Sequence, residues 1–502
     1  MDPANPKGEW VAVGEGQILS IGNGRPPGRY HTPHTRILDL QGKAVLPGFI
    51  DAHLHFRALA ESLSILSLKP DSGIRSITDI EDSIRRQTQT VPPGTWIRAG
   101  GYNEAYLTET RHPTRWDLDK AAPHHPVKLT HRSGHAHVLN SLGLTLTGIT
   151  RETDEPPEGI IDRDMETGEP NGIFWGLNDF LSKKIPPIDE GMLARGADRA
   201  NHKLLSCGIT SFQDASPRND RSRWQWFEGL KADGRIKSRI TMLMGLDGLK
   251  QHREEGFSTD IVPAHLSMGG VKIVIDETTG SLNPSREDLK EIILSIHEAG
   301  YQVALHAIET SAIEAAADAI AHALEVSPRK DHRHRIEHCS VCPPALVERI
   351  TTLGVMVVTH PAFLYHSGDR YLKTVPDDQQ PDLYPIGSLL RKGVAVAAAS
   401  DAPIVDVTPL SGMYSAVTRM TETGKILGAE ECISPYHALE LYTLLAAMSA
   451  FEEETKGTLS PGKLADLVVL SDNPLAVPEE TIKDIEVEMT IVGGEVVWAK
   501  GE

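Results

Sequence analysis

Along residues 45–401 short apolar runs alternate with longer segments of helical period. The runs are "AVLPGFI" through "DAHLHF" (44–56), "WIRAGG" (96–101), "ITSFQDA" (209–215), "GVKIVID" (270–276), "QVALHAI" (302–308), "RHRIEHC" (333–339), "VMVVTH" (355–360) and "VAVAAASD" (394–401). Rich in Val and Ile, and six to eight residues long after the first, they read as strands. Between them lie helix candidates. "SREDLKEIILSIHEAG" (285–300) has Ser285 to cap it, acids in its first turn and Gly300 to end it, and "TSAIEAAADAIAHALEV" (310–326) is Ala-rich. Strand and helix in alternation predict a parallel sheet with crossover helices.

The two ends follow another pattern. Residues 9–46, and the tail after "GTLSPGKLADLVVL", alternate with period two around Gly turns, without helical periodicity beyond about residue 482. Two β segments flanking an α/β body predict one small sheet domain made from both termini. Residues 102–206 are richer in Pro, Gly and charge, and read as an insertion; "RETDEPPEGIIDRDMETGEPNG" is its least strand-like part. The expected division is 1–48 for the first part of the small domain, 49–440 for the body with its insertion, and 441–502 for a helix and the rest of the small domain.

Composition is that of a globular chain, 40% hydrophobic and 24% charged. A formal charge of −19 disfavours nucleic acid or an anionic membrane as partner. The start "MDPANPKGEW" is polar, and no apolar run reaches membrane-span length, so a cytoplasmic location without membrane partner is expected. Four cysteines in 502 residues suggest a reducing compartment. Cys339 and Cys342 form a lone C-x-x-C with no second pair to make a zinc ribbon, and read as incidental thiols.

Ionisable residues punctuate the strand ends. His53 and His55 alternate on one strand and project to one face, which Asp51 shares. Further along stand Lys272, His306, His338 and Asp401, at successive separations of 34, 32 and 63 residues. A (β/α)8 barrel spends about 30 residues per unit when about 250 close eight. The separations therefore read as one unit, one unit and two, with "VMVVTH" as the strand between. The C-terminal strand ends of such a barrel meet at one mouth. Singly, each histidine could be a satisfied core residue and Asp401 a turn cap. Lys272 is odder, because an ammonium between Val271 and Ile273 is costly unless neutralised or paired. Imidazoles and carboxylates in one place suit Zn²⁺, with other divalent ions admitted, and point to metal-assisted hydrolysis with Asp401 as proton carrier.

"PGFIDAHLHF", "VKIVID", "HAIE", "HRIEHCS", "AAASDAP" and "GTLSPGKLADLVVL" together resemble the metal-dependent amidohydrolase superfamily, in the branch that includes N-substituted formamide deformylases. "PTRWDLDKAAPHHPVKLTHRSGHAHVLNS" is similar to that branch's insertion, and "CGITSFQDAS" to its third-strand region. The resemblance implies a TIM-like (β/α)8 barrel with a small β-sandwich built from both termini. It implies metal ligation by His53, His55, His306, His338 and Asp401, with Asp401 and Lys272 catalytic. Lys272 stands where many members carry a carboxylated lysine bridging two metals, so one or two Zn²⁺ ions remain open. His135 and His137 in "SGHAH" would face substrate, joined by Trp175, His360 and Tyr102. Homodimerisation is a further implication. Glu309 and Thr310 depart from the "HAIGD" of relatives, and Gly176 stands where they tend to carry an acid, so specificity is not inherited. The expected reaction is cleavage of a non-peptide C–N bond, amide or N-formyl, in a small molecule. Ester, lactone or carbamate hydrolysis at the same site, and a non-catalytic binding relic, stay open.

Overall fold

The computed structural model describes residues 7–156, 159–255, 265–277 and 280–501. Two compact units emerge, one of Met1–Phe56 with Asn201–Glu502, the other of Arg57–Ala200. The composition shift had suggested an insertion over about 102–206.

The first unit is built on an eight-stranded parallel sheet. In chain order its strands are β1 (Phe49–Leu54), β2 (Ile209–Asp214), β3 (Arg239–Met244), β4 (Leu266–Val274), β5 (Val303–Ala307), β6 (Arg335–His338), β7 (Met356–Thr359) and β8 (Val396–Ala398). Each pairs with the next in that order. Beyond the last ladder, Asp401 N–H donates to the His53 carbonyl at 2.9 Å and His55 N–H to that of Ala402 at 2.9 Å, drawing β8 to β1. Every residue of β1, β2, β3, β6, β7 and β8 is buried, as a parallel sheet covered on both faces requires. This is the barrel that the strand spacing predicted.

Two assignments shift. "WIRAGG" is a strand, Ile97–Tyr102, but it pairs in the other unit's sheet. Its place in the barrel goes to "RITMLM" at β3, so "CGITSFQDAS" supplies the second barrel strand and not the third. Length and apolarity identify a strand without saying which sheet will take it.

The helices follow their capping signals. Arg286–Glu298 begins where the Ser285 side chain accepts from Asp288 N–H, and Thr310–Val326 buries a face of alanines and isoleucines. At the termini, Ala44–Pro47 pairs antiparallel with Leu467–Leu470, which continues into Val487–Val492 and Glu495–Ala499. A hairpin of Trp10–Gly14 and Gln17–Gly22 forms a second sheet. Ile18, Leu467, Val469 and Ile491 pack into one apolar cluster between them. The small sandwich therefore draws on both chain ends.

The second unit holds a six-stranded mixed sheet ordered Leu66–Ser67, Ile97–Tyr102, Val127–His131, Ala136–Leu139, Pro170–Trp175 and Ile160–Arg163. The stretch read as least strand-like contributes Ile160–Arg163 and the start of Pro170–Trp175. Its turn is made by Asp164, whose carboxylate accepts from Thr167 N–H (2.9 Å) and Glu166 N–H (3.2 Å), so polar turn chemistry masks two short strands. No helix among the described residues is long and apolar enough to cross a membrane.

Candidate metal centre

β1 carries Asp51 and His53 inward, and His55 follows its end. The Asp51 carboxylate accepts from His53 N–H (3.2 Å) and Ser400 N–H (3.1 Å), tying β1 to the loop after β8; burial pushes its pKa up to about 6. His53 Nδ1 meets the Glu337 carboxylate of β6, which is fully buried. The same carboxylate is clasped by Arg335, whose Nη2 donates at 3.1 Å. Arg335 also reaches the Ala52 carbonyl at 2.9 Å and the Gln213 side chain of β2. Burial works against Glu337 ionising, but Arg335 and His53 hold it well below the usual carboxylate range. As an anion it only accepts, so His53 carries its proton on Nδ1 and keeps a lone pair on Nε2.

That lone pair faces Asp401. Asp401 Oδ1 lies 3.6 Å from His53 Nε2 and 3.1 Å from His55 Nε2, and the three residues offer ligand atoms all within 4.8 Å of one another. His55 Nδ1 sits 3.2 Å from Ser216 Oγ. Asp401 and His338 adopt positive φ, 59° and 71°, a strained backbone at the ends of β8 and β6. Lys272 on β4 is buried and its Nζ has no hydrogen-bond partner; burial draws its pKa down to about 8, against the pull of Glu337 and Asp401. The His306 and His338 rings are 4.3 Å apart. Burial, then Lys272, lowers the His306 pKa to about 4, and burial likewise keeps His53, His338 and His360 neutral.

His53 Nε2, Lys272 Nζ, both nitrogens of His360 and Asp401 Oδ1 are buried without hydrogen-bond partners. Each such group costs about 1–3 kcal/mol if left unmet. Neutral imidazoles with free lone pairs beside a carboxylate are the donor set a borderline divalent cation takes, so these residues fit the metal that the sequence implied.

With this geometry in view, the family model described as "Amidohydrolase family" matches residues 36–498. The chain belongs to the amidohydrolase family. An N-substituted formamide deformylase of Arthrobacter pascens is 27% identical, over 98% of this chain and 95% of that protein. Protein LONG AFTER FAR-RED 3 of Arabidopsis thaliana is 28% identical, over 99% and 89%. A solved structure of a metal-dependent hydrolase from Pyrococcus horikoshii superposes with a TM-score of 0.74 at 23% identity, covering 93% of this chain and 94% of that one. As an amidohydrolase the chain is a hydrolase, on the fold shared with that metal-dependent enzyme.

The other residues that the sequence assigned to the site divide between the two units of this amidohydrolase. His360 joins the buried cluster, 4.4 Å from His338 and 5.3 Å from His53 between ring centroids. Tyr102, His135, His137 and Trp175 belong to the Arg57–Ala200 unit. His137 is buried, with Nδ1 3.2 Å from Thr130 Oγ1 and Nε2 against Asn178, which leaves neither ring nitrogen free; its neutral form is held by burial to a pKa of about 4. Tyr102 is fully buried in that unit's core with its hydroxyl 2.8 Å from His112 Nδ1, and Trp175 stands edge-on to the same His112. His135 is exposed. Cys339 and Cys342 are buried free thiols in mutual contact. Glu337 and Arg335 escaped the sequence reading. Their signal was present in "RHRIEH", two opposite charges at i and i+2 within an apolar strand.

Proposed function

We propose that this amidohydrolase is a zinc-dependent enzyme that hydrolyses a non-peptide C–N bond, of N-formyl or related amide type, in a small molecule. The observation carrying the reading is the convergence of unpartnered, buried His53 Nε2 and Asp401 Oδ1 with His55 Nε2. His53, His55, His306, His338 and Asp401 would hold one or two ions, and Lys272 would join them as its carbamate. A bound divalent ion supplies Lewis acidity toward the substrate carbonyl and makes water acidic near neutral pH.

The chain's own groups do the rest. Asp401, anionic because His55 and His53 outweigh its burial, accepts the proton of the attacking water at Oδ2, leaving Oδ1 to the ion. It returns that proton to the leaving nitrogen, so the C–N bond breaks, a C–O bond forms, and an acid and an amine depart. Glu337 keeps His53 in the tautomer that presents Nε2. Two observations favour the substrate class. The Arthrobacter pascens relative is named for N-substituted formamides. Apolar side chains also follow the ligand-type residues: Ile308 after β5, Phe363 after His360, and Ile404 after Asp401, with Ile308 and Ile404 exposed. They suit an apolar substituent on nitrogen.

The test is a panel of N-formyl, N-acyl, carbamate and lactone compounds given to zinc-loaded protein. Turnover of N-formyl or N-acyl compounds that ceases on metal removal is expected. Turnover of the lactones alone would reassign the reaction, and purified protein that retains no metal would remove its basis.

A further inference from the structure

The sequence reading placed His360 against substrate, and its surroundings indicate otherwise. His360 follows β7, is fully buried, and has no hydrogen-bond partner at either ring nitrogen. A side chain with no exposed surface has little to offer a substrate. A small ion among its neighbours is another matter. His53, His338 and His360 each present a ligand-type nitrogen, all within 4.8 Å of one another, and the His360 ring lies at 45° to that of His338. Phe363 stacks on His360 at 5.1 Å and 28°, fixing the plane of the imidazole. With both ring nitrogens unpartnered, one can carry the proton and the other is left to offer its lone pair to a cation.

We propose that His360 is itself a metal ligand, so that the seventh strand contributes to the centre on the side of His338. This rests on the metal-dependent reading above and adds a donor outside the set implied by the sequence resemblance. His53 Nδ1 is committed to Glu337, so its single free nitrogen serves either Asp401 and His55 or this second group. An ion held by Asp401 and His55 would leave His338 and His360 to a neighbouring ion, with His306 the adjacent imidazole. Imidazole-rich ligation favours zinc, nickel or cobalt over magnesium or calcium.

The experiment compares wild-type protein with His360→Gln and His360→Asn after loading with Zn²⁺ or Co²⁺. Metal retention is read by chelator competition and the ligand field by the visible spectrum of the Co²⁺ forms. The expected result is metal retention weakened about tenfold or more, and an altered Co²⁺ spectrum. Equal retention with an unchanged spectrum would overturn the assignment. Should the variants fail to fold, an anomalous difference map of metal-loaded wild-type crystals decides. A His360 nitrogen at about 2.0–2.1 Å from an ion supports the proposal, and one beyond bonding distance from every ion refutes it. Wild-type protein that binds no metal would instead sink the metalloenzyme reading, so the two failures are distinguishable.

Discussion

Glu337 is where stability and metal binding meet, and Glu337→Gln separates them. The carboxylate is buried, receives Arg335 through both of its oxygens, and accepts from His53 Nδ1. The amide removes the negative charge but preserves volume and one acceptor. Breaking a buried ion pair costs about 3–5 kcal/mol, because the remaining charge stays desolvated. Here Arg335 keeps the Ala52 carbonyl, Gln213 and the Ser449 carbonyl, so the low end, about 3 kcal/mol, is expected. The effect on metal is separate. Without the anion, either His53 nitrogen can carry the proton, and losing such an outer partner typically costs 10–100-fold in metal affinity. Urea unfolding of the metal-free protein reads the first quantity, and chelator competition under conditions where both proteins are folded by circular dichroism reads the second. A folded variant with wild-type metal affinity would show that Glu337 does not set the His53 tautomer.

Three further outcomes are expected. His55→Ala abolishes metal retention and turnover together, whereas Asp401→Asn retains metal measurable by atomic absorption and loses turnover by at least about 10²-fold. Asp466→Asn lowers stability by about 3 kcal/mol in denaturant unfolding, because Asp466 clasps Arg239 at 2.6 and 2.9 Å in the interior; an unchanged midpoint would contradict this. Acid weakens the fold through His334, which accepts from Val303 N–H at Nδ1 (3.1 Å) and therefore presents Nε2–H to His297 Nδ1 at 2.8 Å. Burial lowers its pKa to about 2, so the unfolded chain binds the extra proton first. Stability is complete above about pH 6.5 and falls as pH drops, by about 2 kcal/mol between pH 7 and 5. His334→Gln should flatten that slope, and parallel slopes would exclude His334 as the cause.

The barrel was legible because its strands are short, apolar and evenly spaced, and because ligand-type side chains mark their ends. Arithmetic on the separations spaced Lys272, His306, His338 and Asp401 as barrel units, and strand alternation set His53 and His55 on one face. What the sequence hid was membership. Ile97–Tyr102 and Arg239–Met244 are equally strand-like, and only pairing decides which joins the barrel. Glu337 was hidden for a related reason, since a buried carboxylate between Ile336 and His338 carries meaning only once Arg335 and His53 are seen to clasp it. His137, which "SGHAH" placed toward substrate, has Thr130 and Asn178 at its two ring nitrogens, partners that the sequence could not name.

The pairing of Ala44–Pro47 with Leu467–Leu470 has a consequence for biosynthesis. His53 and His55, the first of the proposed ligands, leave the ribosome early, directly behind a strand whose partner comes only near the end of translation. Asp401 and the closing eighth strand also come late. The nascent chain thus carries these imidazoles long before the groups that would complete the proposed centre are made. Trimming the last two strands would leave that strand pair joined but uncover the far edge of Leu467–Leu470, and invite intermolecular pairing there.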